Sequence, residues 1–370
     1  MSGRIPSIDA MRIIAIVFVV LIHTDPFQGI NTYGNVINFG TKTISRFAVP
    51  FFFITSGYFF ALKTSNRDSA TYLTKRAFKL VSLYLFGLVL VVPTFLGGKL
   101  AEAELSGRSP HATATSSVIE FLDPVELVYY GTSVSEILWF LPALLFSLLF
   151  VHLVTAIGKP SYVLPVAVCF HLVGLLGSTY TMFVDVPFEI RDAIFFGFFY
   201  TSLGYTIYTR AWEPSKEKSR SLFGLVVLFA VLQFVEFYAL GYPLRGELFG
   251  SYVYAPSYGI STALLSASLF LFILSRPTLF ADTPLPEWGT YAVGIYVTHP
   301  TVFAILRAFR ETLESMGHTI DSKIVWHLVL TPATLLGALA VYLLAHRLRL
   351  IEIGGSHFPG EPWLRNRRSN

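Results

Sequence analysis

Charge is what this sequence has least of. Only 14% of its 370 residues are Asp, Glu, Lys or Arg, where a soluble domain carries about a quarter. Cysteine is almost absent, and the single Cys169 excludes an intrachain disulfide framework. No Gly-x-x-x-x-Gly-Lys loop occurs, which argues against direct nucleotide hydrolysis. His152, His171 and His327 are scattered without metal-ligand spacing, so no metal is expected. The basic residues are spread over separate loops, and a formal charge of +4 distributed in this way is no nucleic-acid footprint.

Apolar sequence fills the space that charge leaves. Hydrophobic residues make up 54% of the chain, aromatic residues 16%, and the mean hydropathy is +0.60. Lipid is the solvent that explains these values. In hydrocarbon every backbone polar group must be satisfied internally, which leaves helices or closed barrels. The apolar runs are about twenty residues long without strict alternation, so the expectation is an all-α polytopic membrane protein. Ten spans are expected: Ala10–Phe27, Ile44–Leu62, Ala77–Leu96, Ser135–Ala156, Ser161–Ser178, Arg191–Tyr208, Ser221–Leu240, Pro256–Ser275, Trp288–Phe309 and Ile324–Leu344. Residues 1–350 then form one transmembrane domain and 351–370 a polar tail. Arg12 lies within the first run and no small-x-small site follows it, so no cleavable leader is expected.

Placing the N-terminus in the cytoplasm puts eighteen of the 27 lysines and arginines on inner segments and nine on outer ones. Five acidic residues from Glu102 to Glu126 fall on the longest outer connection, and Glu136 stands at the start of the span that follows. Both termini are therefore expected in the cytoplasm of a multi-pass cell-membrane protein, which requires an even number of spans. The connections Gln28–Thr43 and Gly97–Val134 are read as long outer loops, of a length that is usually functional or disordered.

Two groups of residues carry chemistry. Arg12 and His23 are separated by ten residues within one apolar run. Eleven steps along a helix advance about 16 Å and about three full turns, so both face the same way. A histidine deep in a span is a functional-site hypothesis, because imidazole can take a proton near neutral pH. Packing against a neighbouring helix explains it equally well on chemistry alone. The second group is the inner stretch Lys63 to Lys79, where Lys75, Arg76 and Lys79 cluster. Clustered cations at this spacing bind phosphate or simply anchor the chain at the inner interface. Ser56 and Gly57 interrupt an aromatic helix, either for close packing or to admit a ligand.

Four strings together resemble one family. Arg4…Asp9-x-x-Arg12-x10-His23 is similar to the first helix of the acyltransferase-3 proteins. Phe51-Phe-Phe-Ile-Thr-Ser56-Gly57 resembles their second, and Glu136-Ile-Leu-Trp139-Phe-Leu-Pro142 resembles a segment of the surface-polysaccharide branch. Tyr291-Ala-Val-Gly294-Ile-Tyr296-Val-Thr-His299-Pro300 resembles a late helix. The resemblance implies a membrane O-acyltransferase that moves an acyl group, commonly acetyl, from cytoplasmic acyl-CoA to a hydroxyl of a glycan or lipid-linked sugar. It implies His23 and Arg12 as catalytic residues, with His23 acting as base or acyl relay. Arg76, Lys79, Lys75, Ser56 and Gly57 would bind the coenzyme, and Asp9, Trp139, Tyr296 and His299 would support the site. The family's Arg-x-x-Arg pair is Arg76-x-x-Lys79 here, and lysine lacks arginine's planar fork. A secondary transporter or flippase is the alternative, since buried histidine and Glu236 suit proton paths as well.

Overall fold

A computed structural model describes residues 4–184, 186, 190 and 193–352. Within them the chain forms thirteen α-helices in succession. The first five are α1 (Pro6–Thr24), α2 (Thr32–Ser45), α3 (Ala48–Thr64), α4 (Ser69–Leu105) and α5 (Pro110–Phe121). They are followed by α6 (Phe140–Ala156), α7 (Val163–Ser178), α8 (Phe198–Thr209) and α9 (Ser219–Gly241). The last four are α10 (Ile260–Ser275), α11 (Leu285–Trp288), α12 (Ala292–Ser315) and α13 (Ile324–Arg347). Seven helical stretches are long and apolar enough to cross a membrane, and α6 and α10 are shorter apolar helices. This is a multi-pass membrane protein. The expected span beginning at Arg191 starts outside the described residues; its remainder is a π-turn, Ala193–Gly197, running into α8.

Small residues bring the helices together. A β-carbon on Gly57 of α3 would lie 1.9 Å from the Thr201 carbonyl oxygen of α8, and one on Gly204 would lie 1.9 Å from the carbonyl oxygen of Ile54. Without side chains at these points the two backbones touch, as membrane helices do where lipid supplies no hydrophobic drive. A β-carbon on Gly289 would meet the Asp9 carbonyl oxygen at 2.0 Å, so α1 packs directly against the turn before α12. Ser7 ties α1 to the end of α10, its N–H donating to Pro277 O and its hydroxyl to Ile273 O, both at 3.1 Å.

Both stretches read as long loops are largely helical. Gln28–Thr43 contains most of α2, which Asn31 caps by accepting a hydrogen bond from the Gly34 N–H. One face of α2 buries Asn38, Phe39 and Thr43 while Tyr33 and Ile37 stand exposed. A search for apolar runs passes over such a two-faced segment. In Gly97–Val134, α4 continues to Leu105, α5 follows, and a π-turn spans Val125–Tyr130. Tyr84 of α4 donates to Leu127 O at 2.8 Å and Tyr296 of α12 to Ile137 O at 2.5 Å. The segment before α6 is thus pinned against spanning helices, where irregular backbone persists only if protein satisfies it.

Glu236 of α9, which the sequence offered only to the transporter alternative, caps another helix. It accepts from Tyr180 OH, from Ser261 Oγ, and from the N–H groups of Ile260 and Ser261 at 3.1 and 2.9 Å. A carboxylate at the start of α10 answers both the free N–H groups and the helix dipole. The expected tail begins by folding back: Tyr342 donates to Glu352 O at 3.1 Å and Ile351 is buried. Residues 353–370, with Arg365, Arg367 and Arg368, lie outside the described residues.

Candidate active site

The first turns of α1, the end of α3, the start of α4 and the turn before α12 converge on a cavity of about 380 Å³. Its mouth is cationic. Arg12 Nη1 lies 3.1 Å from Asp9 Oδ1, and its guanidinium sits 5.6 Å from the Phe59 ring centre. Arg4 Nε reaches the other Asp9 oxygen at 3.0 Å. Arg76 and Lys79 project from one face of α4 and line the cavity, as does Lys63 of α3. Among the described residues, Lys63, Arg76 and Lys79 form no ion pair. Five cations therefore face one carboxylate, Asp9, which already serves two arginines. Such an imbalance focuses a positive field into the cavity and favours an anionic ligand.

Deeper in, the lining turns apolar, with Val49 and Phe52 of α3, Leu141, Leu144 and Leu148 of α6, and Val293 of α12. Ser56 contributes a hydroxyl there. So does Thr55, whose buried oxygen has no hydrogen-bond partner among the described residues. Val19 and Tyr296 also line the cavity.

His23 follows Val19 by one turn on α1 and is not part of the lining. Its ring lies 5.7 Å, centre to centre, from that of His299, and the two planes are inclined at 39°. His299 is fully buried on α12. The Arg12–His23 stripe therefore runs from the cationic mouth past the cavity's end to a pair of histidines.

The other expected site residues separate into groups. Asp9, Arg12, Ser56, Arg76, Lys79 and Tyr296 share the cavity. Lys75 is exposed and lies outside it, because the next position on a helix turns away by about 100°. Gly57 points to α8 and makes room for backbone, not for a ligand in this cavity. Trp139 lines a second cavity of about 380 Å³ with Glu126, Tyr129, Tyr130, Thr132 and Glu136. The start of α6 separates the two, since Phe140 and Leu141 face the first and Trp139 and Ala143 the second. Lys63 and Arg4 belong to the mouth, although neither was among the expected site residues: Lys63 opened the basic inner stretch and Arg4 the string that resembles the family's first helix. The spacing Ser56–Phe59–Lys63 was the available signal, putting all three on one face of α3. Thr55 carried no signal.

Comparison with known proteins adds three findings. A family model of the acyltransferase-3 type, described as an acyltransferase domain, matches residues 5–346. An amino-acid racemase of Enterococcus faecalis is 25% identical over 336 residues, covering 86% of this chain and 44% of that protein. A serine/alanine racemase of Enterococcus gallinarum is 24% identical over 335 residues, again covering 86% and 44%. The chain thus spans less than half the length of these curated relatives. No solved structure matches.

Proposed function

The chain belongs to the acyltransferase-3 family, and from that premise we propose that it moves an acetyl group from cytoplasmic acetyl-CoA to a hydroxyl of a cell-surface glycan or similar acceptor. The observation that carries this reading is the cavity with a cationic mouth and an apolar throat. Coenzyme A has the same polarity along its length, with phosphates at one end and a long, largely uncharged arm bearing the thioester at the other. Arg76, Lys79, Lys63 and Arg12 would take the phosphates through charge-assisted hydrogen bonds. The apolar residues of α3 and α6 would flank the arm, directing the thioester toward Val19 and Tyr296. His23, about 16 Å from Arg12 along α1, would act as the general base on the acceptor hydroxyl. In this orientation both termini and the mouth face the cytoplasm, and the acceptor arrives from the far side. The aromatic rings and carboxylates of the second cavity suit a sugar.

Acetyl-CoA binding to the purified protein tests the reading. Losing one charged phosphate contact costs about 1.5–3 kcal/mol, roughly ten- to a hundredfold in affinity. Arg76→Ala with Lys79→Ala should therefore weaken binding by at least that factor. Unchanged affinity in the double variant would move the coenzyme elsewhere. A second reading is a secondary transporter or flippase without catalysis, to which the facing histidines His23 and His299 are also suited. It requires no affinity for acetyl-CoA, so the same measurement separates the two.

A further inference from the structure

Pro300 lies inside α12 and has no N–H, so the Tyr296 carbonyl four residues earlier lacks its helical donor. His299 fills that position. Its Nδ1 lies 2.7 Å from Tyr296 O and 3.1 Å from Ile295 O. A carbonyl oxygen can only accept, so Nδ1 carries the proton and Nε2 keeps an open lone pair. That Nε2 is buried and has no partner among the described residues. Thr301 Oγ1, two residues on, is also buried without a partner among the described residues, but other polar groups nearby are paired. Thr298 donates to Ala338 O at 2.8 Å, and both nitrogens of His327 are engaged, by the Phe27 N–H at 2.9 Å and Asp321 O at 2.8 Å. A buried acceptor without a donor needs a reason, and the ring facing His299 is that of His23.

His23 needs such an acceptor. It makes no hydrogen bond among the described residues. The charged groups that bear on it besides His299 are Arg46 and Lys42. Lys42 is paired with Asp25, and Arg46 donates to Ala255 O. Both cations are donors only and cannot receive an imidazole N–H. We propose that His299 is the positioning residue of His23: its Nε2 accepts the N–H of one His23 nitrogen and so leaves the other free as base. This rests on the reading of His23 as the base. The ring centres lie 5.7 Å apart, and catalytic hydrogen bonds that are long in an unliganded site tighten when substrate binds.

The reaction then balances. The hydroxyl oxygen bonds to the acyl carbon while its proton passes to the free His23 nitrogen. The carbon–sulfur bond breaks, and its electron pair leaves on the sulfur. His23 returns the proton to that thiolate, giving the ester and the free thiol. His299 neither gains nor loses a proton. It fixes the tautomer and orientation of His23 and accepts a hydrogen bond from the cation that His23 becomes, as the third group of a triad does for its base.

Two substitutions test this. His299→Asn keeps an amide N–H near the Tyr296 carbonyl but removes the acceptor at the Nε2 position. His299→Gln returns an acceptor, the amide oxygen, to that reach. The asparagine variant should lose about 10- to 100-fold in kcat, the weight of one hydrogen bond to a charged group. Its acetyl-CoA affinity, acceptor KM and Tm should stay at wild-type values, and the glutamine variant should recover most of the rate. Wild-type kcat in the asparagine variant would overturn the proposal, as would a glutamine variant no faster than asparagine. Parallel loss of Tm and coenzyme affinity in both would also overturn it, by marking His299 as structural. His23→Gln, measured alongside, separates the two levels. Transfer surviving in it refutes the base assignment itself, whereas a dead His23→Gln beside a full-rate His299→Asn refutes only the positioning role.

Discussion

At the scale of single residues, His23 and Asp9 make opposite predictions. His23 stands beyond the cavity and forms no hydrogen bond among the described residues, so removing its basicity should leave the fold alone. His23→Gln keeps a polar side chain of similar reach but cannot act as a base. It should abolish acyl transfer while acetyl-CoA binding and Tm persist, because in the proposed arrangement the coenzyme's phosphates would dock some three turns away. Transfer at a near wild-type rate would return His23 to the packing role that its sequence also allows. Asp9 is structural first. Its carboxylate joins Arg4 and Arg12 at 3.0 and 3.1 Å and is itself nearly buried. Asp9→Asn leaves two cations without their shared partner, at a cost of about 1–3 kcal/mol. Tm measured in detergent should fall accordingly, and an unchanged Tm would show that solvent already screens the trio.

At the scale of elements, the contact of α3 with α8 is the least forgiving. Gly57→Ala would drive a β-carbon to 1.9 Å from a carbonyl oxygen, and backbone cannot swing aside as a side chain can. The two helices must separate, at a cost of at least about 1–3 kcal/mol. Expression and Tm should drop together, while the fraction that stays folded binds acetyl-CoA normally. Weakened binding with an intact Tm would instead place Gly57 against the ligand. The start of α4 supplies a pH test. Asp68 accepts from the Thr71 hydroxyl at 2.6 Å and the Thr71 N–H at 2.8 Å, and these bonds hold its carboxyl below the usual range. A carboxyl with a depressed folded-state value stabilises above its unfolded value and loses that contribution as pH falls through the folded one. Asp68→Ala should therefore lower Tm at neutral pH, and the gap to wild type should close in acid. A gap independent of pH would show that the cap is not electrostatic.

For the whole molecule, the charge asymmetry predicts the topology. With the cationic mouth placed on the cytoplasmic side, as proposed, the expected topology puts eighteen of the 27 lysines and arginines on inner segments. Helix α4 is long enough, at about 55 Å, to exceed a hydrocarbon core of about 30 Å. Reporter insertions at Gln28, between α1 and α2, and at Lys216, before α9, should report opposite sides of the membrane, the second cytoplasmic. The same side for both would refute the arrangement and with it the cytoplasmic entry of acyl-CoA.

The apolar runs and the scarcity of charge were enough to identify a helical membrane protein, because lipid imposes one solution on the backbone wherever side chains are apolar. The Arg12–His23 interval and the Arg76–Lys79 pair were also legible, since helical periodicity places residues on a shared face without reference to any other element. The helices α2 and α5 were not, because amphipathic and polar segments lack the continuous hydropathy that marks a span. Nor could the sequence tell Gly57 from Ser56, or Lys75 from Arg76, as cavity residues. One position along a helix rotates a side chain by about 100°, and only the neighbouring helix settles what it then meets. The burial of Thr55, the capping of α10 by Glu236 and the meeting of His299 with His23 all join residues far apart in the chain. Such meetings depend on how helices cross, and crossing is set by small-residue contacts such as Gly57 on Thr201 and Gly289 on Asp9, which no local pattern encodes.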